Sequence, residues 1–362
     1  MTIEKVIQLR DVANRLRLSD RRSWILMVPN SIGEVVTICG FAKAFTEKHS
    51  HGITLVIRDV HKNLPQFYPG RFNAVITMSL ELMRDLSNYG IINPNDFVLD
   101  VPFNTWPEQN GDGRLLEIHQ LLSNGNSRGG LTYFDMYRHI LRLDWNSPIE
   151  KGYISSELRT VALKYCEDHG ITRGKSVILF PGGNTNKPAP GVFWEAISKF
   201  YRNNGIDVYV NFRGSDFRPN TNNTLGTELD LPIDLAVAVS EYAGNLVTAV
   251  NGLVMLVLMV GLKCNINVAL SDQYDPQRSG VFKHLNPLSG CHLLIAPEVA
   301  VNHDSYYEWV IRSDAAVAEL EDIAKSIVNN LLHPARIDKN NIAAHTNSNY
   351  GIWAQDLVRD WS

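Results

Sequence analysis

The sequence predicts an α/β protein made of two doubly wound domains facing a central cleft. Three observations carry this. The chain has 362 residues, well past the roughly 100–200 of one typical domain. Short apolar runs alternate with amphipathic segments over the first hundred residues, lapse, and resume at Ser176; that alternation is the pattern of parallel strands covered by helices. Each half also places a turn between an apolar run and a helix: Pro29-Asn30-Ser31-Ile32-Gly33-Glu34 in the first, Pro181-Gly182-Gly183-Asn184-Thr185-Asn186-Lys187 in the second. Open α/β sheets bind ligands outside the C-terminal ends of their strands, so two such halves imply a crevice between their turns.

The elements follow in order. Trp24–Val28 reads as a strand, Gly33–His49 as a helix and Ile53–Ile57 as the next strand. A short helix over His61–Phe67, a strand over Phe72–Thr77, a helix over Leu80–Asn88 and a strand over Phe97–Val101 complete the first set. From Pro102 to Gly130 the composition turns to Asn, Gly, Asp, Ser and Pro, with only Leu115–Leu122 helical in pattern; irregular stretches of this length are usually functional or mobile. Tyr133–Leu143 and Glu157–His169 read as helices, separated by the turn signal Asn146-Ser147-Pro148. In the second half strands are expected at 176–180, 207–212, 228–231, 245–249, 266–270 and 291–295, and helices at 192–204, 233–243, 252–262 and 314–332. The domains are therefore placed at 1–155 and 174–332, with a linker at 156–173 and a polar tail at 333–362 expected to cross back to the first domain.

Charge and cysteine usage narrow the function. A net charge of −4 argues against a general nucleic-acid binder, which usually carries a basic face. The first 22 residues depart from that balance: Lys5, Arg10, Arg15, Arg17, Arg21 and Arg22 against Glu4, Asp11 and Asp20 leave +3. Val6, Leu9, Ala13 and Leu16 recur there at helical spacing. Two readings stay open for this segment, a helix docked on its own domain and a basic amphipathic helix on the inner membrane surface. Cys39, Cys166, Cys264 and Cys291 show no CxxC spacing, so neither a disulfide framework nor a zinc site is expected. The polar N-terminus does not resemble a signal peptide. The most apolar stretch, Gly252–Leu262, has eleven residues where a membrane span needs about 20. A cytoplasmic protein, peripheral to the membrane at most, fits these features.

The Gly183–Lys187 turn is suited to a phosphate. Gly183 lets the backbone approach an anion, N–H groups at the turn point toward it, and Lys187 adds full charge. The other reading is a plain turn with a solvated lysine. Asn251-Gly252-Leu253 opens a helix after a strand and offers a second anion seat. Arg213 ends a strand, suited to stacking on a base or meeting a phosphate, and equally to the surface. Asp275 lies in a polar turn after the strand at 266–270. His49 and His51 have no third ligand at useful spacing, so no metal site is expected.

Taken together, Ile25-Leu26-Met27-Val28-Pro29-Asn30-Ser31-Ile32-Gly33-Glu34-Val35-Val36, the Gly183–Lys187 turn followed by Phe193-Trp194, and Asn251-Gly252-Leu253 with the later Asp275-Pro276 resemble the bacterial heptosyltransferases, glycosyltransferase family 9 of lipopolysaccharide biosynthesis. The resemblance runs from about residue 24 to 330 and is patchy. It implies the GT-B fold of two Rossmann-like lobes, a first for the acceptor and a second for the donor. It implies an inverting, metal-independent transfer with a nucleotide-sugar as co-substrate and no cofactor, onto a saccharide or glycolipid. Carried over by position, Glu34 falls on the family's catalytic Asp, with Asn30, Ser31 and Gly33 on the acceptor side. Gly183, Asn184, Thr185, Lys187, Arg213, Asn251, Gly252, Leu253 and Asp275 fall on the donor side. Two departures stand out. Glu34 is one methylene longer than the Asp it replaces, and Val250, Val254 and Met255 stand where the family has Asp, Ser and His. The alternative is a catalytically lapsed protein of the same fold that binds a nucleotide or glycan as a scaffold.

Overall fold

The computed structural model describes residues 3–19, 23–29, 31–88, 98–100, 132–183, 188–213, 218–221, 223–271, 296–300, 302–303, 305–332 and 341–347. They divide into two units, the second of which takes up the chain at Ile154. Both are α/β, as the alternation predicts.

The first unit is built on a parallel sheet of β1 (Ser23–Val28), β2 (Gly52–Arg58), β3 (Ala74–Met78) and β4 (Val98–Asp100), in the order β3-β2-β1-β4. Leu26 pairs with Leu55 on one side and Leu99 on the other. Strands covered on both faces need apolar residues at nearly every position, and Ile25, Leu26, Met27 and Val28 are all buried. One face takes α1 (Ile3–Ser19) and α3 (Leu80–Asn88): Leu9 and Val12 pack with Ile25, Met27, Val56, Met78, Met83 and Leu86. The basic first segment is thus a helix docked on its own domain. Trp24 meets Phe45 of α2 (Ile32–His49) edge to face, with centroids 5.7 Å apart. α2 ends where Ser50 turns left-handed (φ 56°) and its N–H closes on the Thr46 carbonyl at 2.9 Å. Phe41 on α2 packs against Phe134 of α4 (Tyr133–Ile140), and Arg138 lies over the Phe41 ring while bonding Asp135 at 2.7 Å. The helix expected to reach Leu143 stops earlier because Arg142 has φ 55°. The strand at 97–101 is seen as β4, and the irregular segment from 102 to 130 lies outside the described residues.

The second unit opens with α5 (Ser156–His169), capped by Ser155 Oγ on the Leu158 N–H and closed by left-handed Gly170. This helix occupies the segment read as a linker. It packs on α7 (Ile233–Ala243), and Arg159 pairs with Glu241 there at 2.8 Å. The sheet comprises β5 (Ser176–Phe180), β6 (Asp207–Asn211), β7 (Thr227–Leu229), β8 (Asn245–Ala249), β9 (Asn265–Ser271) and β10 (Tyr306–Ile311). All pairs are parallel, in the order β10-β9-β8-β5-β6-β7. Read from β7, this is the 3-2-1-4-5-6 order of the dinucleotide-binding Rossmann sheet. α6 (Gly191–Asn203) and α10 (Val317–Leu332) cover one face, where Phe193, Trp194, Ile197 and Tyr201 interlock with Leu320, Ala324, Ile327 and Val328. α7 packs on β5 and β8 from the other. α8 (Gly252–Met259) and the short α9 (Pro297–Ala300) complete the helices.

Two expectations in this half need comment. β10 was not anticipated, and the strand expected at 291–295 lies outside the described residues. The charge of Glu308 interrupts the aromatic and β-branched run of β10, yet that carboxylate is buried and accepts the Tyr306 hydroxyl at 2.6 Å. The tail, expected to cross back, stays on the second unit as far as it is described. Ile342–His345 forms a 3₁₀ turn and Thr346 bridges Glu308. Asn347 Oδ1 accepts the Val310 N–H at 2.6 Å, while its Nδ2 donates to the Val310 carbonyl at 3.1 Å. Residues 348–362 lie outside the described residues.

Candidate functional site

In the Rossmann order the chain reverses direction across the sheet between β5 and β8, and the crevice at their C-terminal ends is where ligands bind. The structure brings two of the predicted segments to this point. After β5, whose five residues are all buried, come Pro181, Gly182 and Gly183, also buried. After β8 comes Val250, then Asn251 at the start of α8. Asn251 joins the two turns. Its Nδ2 donates to the Gly182 carbonyl at 2.9 Å and to Thr248 Oγ1 at 3.3 Å, and its Oδ1 caps the Leu253 N–H at 2.9 Å. The turns are so close that a Cβ on residue 183 would lie 2.9 Å from the Val250 carbonyl oxygen. Glycine at 183 is therefore required by backbone approach.

The start of α8 is partly occupied from within. The Leu253 N–H is held by Asn251, and the Val254 N–H bonds the Asn251 carbonyl at 3.1 Å. What Gly252 and the helix offer an anion is the dipole and a close backbone, with no added side-chain charge. Beyond Gly252 the helix is buried from Leu253 through Met259. Val254 and Met255 are thus core residues, and their apolar character is what a helix surrounded by protein demands.

Arg213 lies just past the C-terminal end of β6, on the other side of β5 from β8. Its Nη1 bonds Asp230 Oδ2 at 3.0 Å with both side chains largely exposed. Such a pair contributes about 0–1 kcal/mol, so an incoming phosphate can displace the carboxylate. Asn211 fixes this corner from beneath. Its Nδ2 donates to the Leu231 carbonyl at 3.1 Å and its Oδ1 accepts the Leu231 N–H at 3.2 Å. Asp230, Asn211 and Thr248 were not singled out from the sequence. The signal that could have found this clamp is an asparagine at the end of a strand, Asn211. Asn30, Asn184, Thr185, Lys187 and Asp275 lie outside the described residues.

The first sheet repeats the arrangement. With β1 between β2 and β4, its reversal point is also at the end of β1, where Pro29 leads to Ser31, Gly33 and Glu34. Ser31 is the N-cap of α2, in extended conformation, and its carbonyl accepts the Val35 N–H at 3.2 Å. Its hydroxyl donates to Glu34 Oε2 rather than to a backbone group. Glu34 is half-buried in the first turn of α2, where the helix dipole favours a carboxylate. This arrangement supports either a held base or a helix-start carboxylate.

The remaining candidates are structural. His49 Nε2 contacts the Leu141 carbonyl at 3.1 Å and His51 Nδ1 the His49 carbonyl at 2.6 Å. Among the described residues no group of three or more His, Cys, Asp and Glu side chains is placed to hold a metal. Burial pushes the thiols of Cys39 and Cys264 up, and that of Cys166 to about 12. No helix among the described residues is long and apolar enough to cross a membrane.

Comparison with known proteins gives the same architecture. The structure is similar to that of ADP-heptose lipopolysaccharide heptosyltransferase II from E. coli, with a TM-score of 0.53 and 12% identity over 86% of this chain and 98% of that one. It is also similar to a family 9 glycosyl transferase from Veillonella parvula, with a TM-score of 0.49 and 14% identity over 86% and 98%. A heptosyltransferase from E. coli with ADP gives 0.43 and 12% over 85% and 99%. The first of these likenesses establishes a shared fold; the other two are too loose to argue from. No protein-family model and no curated protein sequence matches the chain.

Proposed function

We propose that this chain is a glycosyltransferase resembling family 9 heptosyltransferases, moving a sugar with inversion from a nucleotide-sugar to a saccharide or glycolipid at the cytoplasmic side of a membrane. The observation that carries the reading is the reversal point of the second sheet, where Asn251 holds the Gly182-Gly183 turn against the start of α8. A diphosphate seated there meets backbone N–H groups, the α8 dipole and, from the same turn, Lys187. These groups stabilise the charge that grows on the leaving nucleoside diphosphate as the glycosidic bond breaks, so the chain itself can supply what a metal supplies elsewhere. Glu34 takes the acceptor hydroxyl's proton as that oxygen attacks the anomeric carbon, which requires the two within about 3 Å in the complex. Ser31 and Gly33 form the backbone around that base, and the resemblance adds Asn30 to the acceptor side. Arg213 exchanges Asp230 for the donor.

A panel of ADP-, GDP- and UDP-sugars tested by thermal shift checks this first, since a ligand that binds only the folded state raises its midpoint. An ADP-sugar is the first to try, because the heptosyltransferase II that shares this fold is named for ADP-heptose. A midpoint unmoved by every donor would defeat the reading. A second reading, a scaffold without turnover, is favoured by Val254 and Met255, which bury apolar side chains where the resemblance places Ser and His. Donor binding with neither hydrolysis nor transfer would select it.

A further inference from the structure

The two sheets treat their edges differently. An edge strand offers unpaired N–H and C=O groups to any other strand, and proteins guard such rows by shortening, charging or covering them. In the second sheet β7 has three residues, and Glu228 among them is exposed. β10 is covered by 341–347, where Thr346 bridges Glu308 and Asn347 bonds both backbone groups of Val310. β3 has none of these guards. It stands at the edge of the first sheet, and among the described residues no strand pairs with its outer side. It is five residues long, and no charge, proline or glycine occurs from Phe72 to Ser79. One face of the strand is also uncovered: Val75 and Thr77 are exposed, whereas Ile76 and Met78 pack on the α1 and α3 side. Beside it Val60, on the 3₁₀ turn Asp59–His61 that contacts β3, is 67% exposed.

We propose that the outer edge of β3 is an interface between two copies of this chain, paired antiparallel about a two-fold axis at Ile76. The strand is complementary to itself in that register. Ala74 falls opposite Met78 of the second copy, Val75 opposite Thr77, and Ile76 opposite Ile76, so no two like charges meet. Val75 and Thr77 are both β-branched and lie on the same uncovered face, the kind of cross-strand pair that stabilises a sheet. Charge favours the same register from outside the strand. Arg71 lies five residues before Ile76 and the exposed Glu81 five after it, so the two-fold brings the cationic start of each strand to the acidic end of the other. The contact is isologous and closes at two copies, joining the two four-stranded sheets into one. It does not rest on the transferase reading.

Sedimentation velocity of the full chain over a range of concentrations tests the proposal. The wild type should pass from monomer to dimer as concentration rises. Val75→Lys should raise the dimer dissociation constant roughly tenfold, because it removes two cross-strand pairs and sets two lysines diagonally on one face. Position 75 faces water in the monomer, so at concentrations where both are monomeric the thermal midpoints of variant and wild type should coincide. The register has its own check. Opposed residues lie about 4.5–5.5 Å apart and diagonal ones about 7–8 Å, and a disulfide spans only the former. A mixture of Val75→Cys and Thr77→Cys should therefore give a disulfide-linked dimer under mild oxidation that neither variant gives alone. A chain that stays monomeric at every concentration, a dimer that Val75→Lys leaves as tight as before, or a mixture that does not crosslink would overturn the proposal.

Discussion

Asn251 commits its amide to the chain: Nδ2 to Gly182 and Thr248, Oδ1 to Leu253. It positions the turn for a ligand. Asn251→Asp keeps the helix cap and loses both donated bonds, setting a carboxylate against a carbonyl. We expect that variant to lose about 1–3 kcal/mol, read from urea unfolding, with weaker donor binding; a wild-type midpoint would show that the latch contributes nothing. At Glu34 the expectation is different. Glu34→Gln removes the proton acceptor but still takes a bond from Ser31. Donor-induced stabilisation should persist while turnover falls by about 10²–10⁴, and full turnover would dismiss the base. The same logic at Lys187 gives weaker donor binding for Lys187→Ala, with an unchanged dissociation constant as the contrary result. Glu34 was legible as a residue type at the start of a helix. The latch was not, because Asn251 meets Gly182 only through two neighbouring strands.

Element starts carry their own constraints. A Cβ on Gly191, the first residue of α6, would fall 1.5 Å from the Asn220 carbonyl oxygen. Gly191→Ala must therefore push α6 or the backbone at 220 aside, at a cost of about 1–3 kcal/mol. One turn on, Trp194 is fully buried against the α10 side of the sheet. Trp194→Ala should cost about 3–5 kcal/mol and lower the thermal midpoint by roughly 10 °C; a scanning calorimetry midpoint within a degree or so of wild type would contradict that packing. α6 was readable because its apolar residues keep a helical period. β10 has the aromatic and β-branched content of a strand. Its central Glu308 hides this, since a buried charge is tolerated only with the partner that Tyr306 supplies. The end of α4 was least readable, because a non-glycine residue, Arg142, turns left-handed there.

At the scale of the molecule, each unit buries its own core, and Cys39 in the first and Cys166 and Cys264 in the second share in it. All three thiols are held above their ordinary value of 9.0, Cys166 at about 12. A proton held more tightly by the folded chain stabilises it fully below that ordinary value. The contribution falls as pH rises through it, since the unfolded thiol ionises first. Unfolding midpoints should therefore drop between about pH 9 and 12. In the native chain at pH 8, Ellman's reagent should leave these three of the four cysteines unreacted, and denaturant should release them. Early reaction of two or more would contradict the burial.

The alternation of strand and helix, the two glycine turns and the apolar character of 252–259 could all be read along the chain, because each is a periodicity or a turn chemistry set by neighbours in sequence. The order β10-β9-β8-β5-β6-β7 could not. Parallel strands pair across long crossovers, and a strand buried on both faces has no alternation to mark its partner. Only folding places the exits of β5 and β8 side by side, makes glycine obligatory at 183, and turns Val254 and Met255 into packing residues, because those outcomes depend on which distant segment fills the adjoining space.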